Sequence, residues 1–241
     1  MKNFFVKKIK NNLCFFTNED ANHLKNVLRI KLGDKVNCIY EQKKYQCQIN
    51  SIDPLNALII QEVPTAVEFE NHNIILYQAV IKPKHQEWIL AKATELGISQ
   101  IALVIFSRSQ PKNIILDNRI QNIILSSAKQ SGRQKLPIFS GNKKFNDLLT
   151  EFSQLDCLIV PYENEDKALL ANEIETIDFT NLKNIGLLVG PEGGFTNQEI
   201  DIIKMMTNVK LVQLTKTILR SDTASFFTLS ILINHLFKKG L

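Results

Sequence analysis

The sequence predicts an α/β protein in two parts: a small, mostly antiparallel β unit over residues 1–70, then a parallel, doubly wound sheet domain over residues 74–241. Three observations predict it. Before residue 64, short segments of alternating apolar and polar residues are joined by polar turns, the pattern of a small antiparallel barrel or sandwich. After residue 74, short apolar strands alternate with helical patterns, which calls for a parallel sheet covered on both faces. Near the carboxyl end, two turns of unusual chemistry each follow a strand and lead into a helix, and open parallel sheets build ligand crevices from such turns.

The elements justify themselves in order. Residues 2–7 and 12–16 read as short strands. Thr17 can cap a helix whose first turn holds Glu19 and Asp20, and Leu24, Val27 and Leu28 share a face, so a helix is predicted to about residue 30. Gly33-Asp34 then turns the chain into strands at 36–40, 45–52 and 58–63. The barrel ends near Pro64, and 68–73 reads as a linker. Residues 74–80 form a strand of buried type, followed by a helix over 85–96. In it Ile89, Ala93 and Leu96 share a face, and Gly97 offers the left-handed residue that ends a helix. A strand at 101–106 and a helix over 117–130, capped by Asp117 and closed by Gly132, come next. Further short strands are predicted at 138–139, 157–160, 186–189 and 209–214. The last helix, 222–238, carries Phe226, Phe227, Leu229, Leu232, Leu236 and Phe237 over more than one face, so it must bury against the sheet and against something else, a second subunit being one candidate.

Composition narrows the function classes. Hydrophobic content of 44% and charged content of 22% are those of a globular protein rather than a disordered one. There is no run of about 18 apolar residues and no signal-peptide core at the amino terminus, so a cytoplasmic protein with no membrane span is expected. Cys14, Cys38, Cys47 and Cys157 lack Cys-x-x-Cys spacing and the four histidines are scattered, so neither a metal site nor a disulfide framework is expected. A net charge of +5 is too small to establish nucleic-acid binding. Only Arg29, Arg108, Arg119, Arg133 and Arg220 among the 29 basic residues are arginine. Scarce arginines mark candidate sites for a planar, bidentate donor, with chance placement as the alternative.

The two turns carry the chemistry. Gly190-Pro191-Glu192-Gly193-Gly194 combines a stiffened bend with glycines that permit positive φ and close backbone approach, and Thr196 to Glu199 forms a capping box for the next helix. The turn lacks the phosphate-loop pattern, and no Gly-x-Gly-x-x-Gly fingerprint occurs in the chain. It either offers backbone groups to a polar small molecule or is a tight structural turn. The second turn, 215–220, sets Arg220 before Ser221 and Asp222, either of which can cap the last helix. Arg220 there either clamps a phosphate or pairs with Asp222.

Taken together, GPEGG with its following Phe-Thr-x-x-Glu, the strand after it, and Ile218-Leu219-Arg220-Ser221-Asp222-Thr223-Ala224 resemble the ribosomal RNA uridine-N3 methyltransferases of the RsmE type, in the SPOUT class of S-adenosylmethionine-dependent enzymes. His23 to Arg29 with Gly33-Asp34-Lys35-Val36, Lys92 to Gly97, Phe106 to Ser109, and Gln130 to Arg133 resemble further family blocks in the same order. The resemblance implies a PUA-like, RNA-binding barrel over 1–70 and a SPOUT α/β domain over 74–241 with a deep trefoil knot. It implies a homodimer using S-adenosyl-L-methionine, with no metal, to methylate N3 of a uridine in 16S ribosomal RNA of the small subunit.

Residue by residue, the resemblance makes Leu188, Gly190, Glu192, Gly194, Leu214, Ile218 and Leu219 the cofactor-binding candidates. Arg29, Arg108, Arg133 and Arg220 become the RNA contacts. Arg133, Arg220 and Glu95 are the catalytic candidates; Glu95 or Glu192 could orient the arginines or accept the N3 proton, and for Glu95 the alternative is a helix-end ion pair. A SPOUT enzyme for another RNA and a non-catalytic RNA-binding assembly factor are the competing readings. The chain departs from the family at Thr215, where glycine is common, at Thr217, where arginine is common, at Asp222, where glutamate is usual, and at Lys129, where an acid is frequent.

Overall fold

The computed structural model describes residues 2–64, 71–110, 114–163 and 168–240. Its contacts divide the chain into two units, one of residues 1–67 with 125–136 and one of residues 68–124 with 137–241.

The first unit is built on a six-stranded sheet in the order β1-β4-β5-β6-β3-β2, with β1 Asn3–Phe5, β2 Lys8–Lys10, β3 Leu13–Phe15, β4 Lys35–Tyr40, β5 Lys43–Ile52 and β6 Leu55–Val63. All its pairings are antiparallel except β1 with β4. The sequence reading missed β2 because Lys8-Ile9-Lys10 offers a single apolar residue. What makes it a strand is the two-residue turn Asn11-Asn12, both at positive φ (51° and 62°), which suits a tight hairpin with β3. Glu41-Gln42 closes the β4–β5 hairpin in the same way.

The helix predicted to residue 30 is shorter and changes form: α1 spans Asn18–Asn22, capped by Thr17 as expected, and a wider π-helical turn covers His23–Val27. Leu28 donates its N–H to the carbonyl of His23, and Arg29 takes φ +50°, which stops the helix. Three cysteines far apart in sequence meet in this unit's core. Cys14, Cys38 and Cys47 are fully buried, their sulfurs lie within 4.8 Å of one another, and all are free thiols.

The second unit is a six-stranded sheet in the order β12-β10-β11-β7-β8-β9, parallel at every pairing. Its strands are β7 Asn73–Ala79, β8 Gln100–Ile105, β9 Ile138–Lys144, β10 Cys157–Pro161, β11 Asn184–Val189 and β12 Val209–Val212. The expected linker at 68–73 falls outside the described residues up to residue 70, and β7 begins at its last position.

Strand β7 shows why both faces are covered. Ile74, Leu76 and Val80 enter one core with residues of α2 (Pro83–Glu95), α3 (Asp117–Ser131) and α7 (Ser221–Lys239). The alternate residues Ile75, Tyr77, Ala79 and Ile81 enter a second core with Phe145, Phe152 of α4 (Leu149–Ser153), and Ile200 and Ile203 of α6 (Asn197–Lys204). This is the period of two that a strand buried on both sides requires. Helix α2 begins two residues earlier than predicted because Pro83 occupies its first turn, where a missing N–H costs nothing. Gly97 and Gly132 take the left-handed conformations expected of them. No helix among the described residues is long and apolar enough to cross a membrane.

In this sheet the chain builds outward from β7 through β8 to β9, then returns and builds on the other side of β7. A reversal of strand order opens a crevice beyond the carboxyl ends of the strands. The two turns lie at that edge: 190–196 leaves β11 and 213–220 leaves β12.

Candidate active site

Both turns line one cavity of about 520 Å³. That volume lies within the range of small-molecule sites, which run from roughly 300 to 1,000 Å³. From the first turn come Gly190, Glu192 and Gly194, and from the second Leu214, Ile218, Leu219 and Arg220. Leu188, the remaining cofactor candidate, does not line it. It is one residue too early, fully buried in β11 and packed into the core on the α6 side.

The first turn is held by bonds from two directions. Gly194 donates its N–H to the carbonyl of Pro191 at 2.9 Å with φ +69°, a conformation that favours glycine. The guanidinium of Arg108, after β8, donates to the carbonyls of Gly193 (2.7 Å) and Phe195 (3.0 Å). Arg108 was expected to meet RNA; here its Nη1 braces the glycine turn. Glu199 completes the capping box of α6, accepting from the N–H of Thr196 at 2.7 Å and also from that of Ser107 at 2.9 Å. Burial opposes its charge, but the two N–H donors win and hold the carboxyl below its ordinary range.

A buried polar network that the sequence reading did not find locks the two turns together. Gln78, fully buried in central strand β7, donates to Ser221 Oγ at 2.9 Å and accepts from Ser225 Oγ at 2.5 Å. Ser221 Oγ donates in turn to the carbonyl of Gly190 at 2.7 Å. The signal was present as one polar residue inside an apolar strand, Ile74-Ile75-Leu76-Tyr77-Gln78-Ala79-Val80, and its partners lie more than 140 positions away. Ser221 is therefore not the cap of α7. Arg220 takes the cap position, with no side-chain capping bond, and Ser221 opens the helix with its hydroxyl turned to the first turn.

Asp222 does not pair with Arg220 either. Its carboxylate meets His85 Nδ1 at 2.8 Å, and His85 lines the cavity from the first turn of α2. Thr215 donates its hydroxyl to the carbonyl of Thr217 at 2.6 Å, so a side chain braces the loop where the family commonly has glycine. Glu95 sits at the end of α2 in an ion pair with Lys92 at 2.7 Å, the helix-end alternative, and does not line the cavity. Arg133 is buried in the turn after α3, and Arg29 is exposed; both belong to the first unit. Lys82, Tyr162 and Glu163 line the cavity without having been singled out from sequence.

The cavity pairs an apolar wall with charges of both signs, Lys82, Lys216 and Arg220 against Glu163 and Glu192. Leu214, Leu219 and Ile218 give it an apolar wall, and Ile218 is 85% exposed. Glu163 and Glu192 supply negative charge, and the turns supply backbone groups.

A parallel sheet with such a crevice, in a chain that also carries a curled β unit, has counterparts among RNA-modifying enzymes. An RNA methyltransferase domain model matches residues 68–233, and an RNA methyltransferase PUA domain model matches residues 16–62. The ribosomal RNA small subunit methyltransferase E of Mesomycoplasma hyopneumoniae is 30% identical over 235 residues, covering 95% of this chain and 98% of that protein. Its Bacillus subtilis namesake is 28% identical over 251 residues, covering 95% of each. The crystal structure of the Neisseria gonorrhoeae namesake, bound to S-adenosyl methionine, superposes with a TM-score of 0.82 at 24% identity, over 97% of both chains. The chain belongs to the ribosomal RNA small subunit methyltransferase E family, as the resemblance of its sequence blocks implied.

Proposed function

We propose that this protein transfers a methyl group from S-adenosyl-L-methionine to N3 of a uridine in 16S ribosomal RNA of the small subunit, working in the cytoplasm as a homodimer. The observation that carries the reading is the convergence of the two turns on one cavity at the carboxyl edge of the sheet, in a member of this family.

When bound, S-adenosylmethionine supplies an electrophilic methyl group on a sulfonium. In this reading the backbone of Gly190, Gly194, Leu214 and Leu219 holds the cofactor, Ile218 covers its flat end, and Glu192 and Glu163 complement its positive charge. Arg220, exposed where it lines the cavity, meets the RNA, and exposed Arg29 supplies a further RNA contact, whereas Arg133, expected to do the same, is buried within its unit. Glu95, already committed to Lys92, takes no part. Pre-assembled loops of this kind contribute to rate chiefly by orientation, because reacting atoms held in line avoid the entropy of meeting. The trefoil knot implied by the resemblance belongs to the same reading.

Nucleoside mass spectrometry of ribosomal RNA tests it. Cells lacking the gene should lose one N3-methyluridine from 16S RNA and regain it with the gene restored. An unchanged modification profile would refute the reading.

A further inference from the structure

We propose that His85 is the proton acceptor for the uridine N3–H, and that Asp222 is the positioning residue that sets its tautomer. The inference rests on the proposed methyl transfer to uridine N3. His85 lines the cavity beside the two turns, its side chain 32% exposed, while its Nδ1 lies 2.8 Å from Asp222 Oδ2, whose side chain is 12% exposed. An ionised carboxylate only accepts, so a neutral imidazole must place its one proton on Nδ1 to make this bond. That leaves Nε2 with its lone pair. Among the described residues Nε2 has no hydrogen-bond partner.

The two residues come from separate elements, the first turn of α2 and the first turn of α7, so their meeting depends on the tertiary fold. A surface pair needs no cavity, yet the His85 member of this one lines the cavity that holds Arg220 and both turns. It is also set on rigid elements. The backbone N–H of His85 bonds the carbonyl of Lys82, and α7 is locked to β7 by the Gln78–Ser221–Ser225 network.

The reaction calls for such a group. An imide N–H keeps its proton at neutral pH, and only the deprotonated nitrogen presents an electron pair in the ring plane. The N3–H bond breaks, the proton passes to Nε2 of His85, and the electron pair left on N3 takes the methyl group as the carbon–sulfur bond breaks with its pair left on sulfur. His85 becomes an imidazolium against Asp222 and returns its proton to solvent after product leaves. Histidine is the side chain whose ordinary titration range suits this duty. The charged groups that line the cavity with His85 are Lys82 ahead of α2, Glu163 after β10, Glu192 in the first turn, and Lys216 and Arg220 in the second, while Asp222 of α7 faces His85 at Nδ1. The cations favour the uridine anion as it forms.

The test uses full-length protein and small subunits lacking the modification, with single-turnover rates measured across pH. His85→Gln should lower the rate by about 10²–10⁴-fold, the usual contribution of a positioned general base. It should remove the acid limb of the wild-type pH profile and keep calorimetric S-adenosylmethionine affinity within twofold. His85→Ala should behave alike and be partly rescued by added imidazole. Asp222→Asn should give an intermediate rate, and 15N NMR of the free wild-type protein should show Nδ1 carrying the proton. Turnover of His85→Gln within threefold of wild type, an unchanged pH profile, or a rate loss matched by an equal loss of cofactor affinity would overturn the assignment. Mass spectrometry of the wild-type product separates the two levels. A product other than N3-methyluridine ends the reaction reading and this inference with it, whereas N3-methyluridine made equally well by His85→Gln ends only the role of His85.

Discussion

Gly194→Ala is the most discriminating change in the first turn, because its cost comes from the backbone alone. Gly194 has φ +69°, where an added Cβ is strained whatever space surrounds it. The nearest atom to that Cβ is Glu163 Oε1 at 2.9 Å, the far end of an exposed, flexible side chain that can swing away at little cost. Holding an L-residue in the left-handed region costs about 1–2 kcal/mol. The turn meets that cost in one of two ways. It stays and carries the strain, or it rearranges and gives up the Gly194–Pro191 bond and the Arg108 bonds to Gly193 and Phe195. Either way the cofactor-ready turn is disfavoured by 1–2 kcal/mol, which lowers S-adenosylmethionine affinity by a factor of about 5–30. Gly194→Val, with its stiff β-branch, should abolish measurable binding while the sheet stays folded. Calorimetry reads the affinities and circular dichroism the fold. A second substitution, Glu163→Ala, should not restore Gly194→Ala, because removing a side-chain clash leaves the backbone strain in place. Wild-type affinity in Gly194→Ala, or full rescue by Glu163→Ala, would refute the reasoning.

Three further outcomes are expected. Arg220→Ala should lose most methyl transfer while keeping cofactor affinity, since its side chain caps nothing and is exposed where it lines the cavity; unchanged turnover on small subunits would contradict it. Glu199→Gln should cost about 1–3 kcal/mol in urea unfolding at pH 7, because an amide replaces a carboxylate that accepts from both Thr196 and Ser107. The folded-state value of Glu199 is depressed, so its stabilisation is present above the unfolded-state value of about 4.3 and is lost as pH falls through the folded-state value. The gap between variant and wild type should therefore narrow toward pH 3, and a gap independent of pH would be the wrong result. Light scattering at micromolar concentration should give the mass of two chains. Phe237 is 79% exposed and Trp88 41%, with Trp88 edge-on to Phe226 of α7, an apolar face that a second copy would cover; a monomer mass would count against it.

What the sequence disclosed follows the range of the interactions concerned. The GPEGG turn, the Thr196–Glu199 capping box and the glycines ending α2 and α3 are fixed by chemistry within five residues, and each stands where it was read. The sheet strands announced themselves by apolar runs, but their order did not, since nothing local in β11 says that it lies between β7 and β10. The misses have long-range partners. Gln78 looked like an interruption in a strand because Ser221 and Ser225 lie 143 and 147 residues away. Cys14, Cys38 and Cys47 lacked any motif spacing because they come from three strands that only the folded sheet brings together. Arg108 was read as an RNA contact from its matched family block and its rarity, yet its partners are the carbonyls of Gly193 and Phe195, 85 and 87 residues on. A scarce arginine and a buried glutamine thus serve the same end from opposite sides of one turn. Arg108 holds its outer carbonyls, and Gln78 holds its inner one through Ser221. The glycines that make the turn readable in sequence also leave it conformationally free, and it is held in one shape only because residues distant in sequence take up its carbonyl groups.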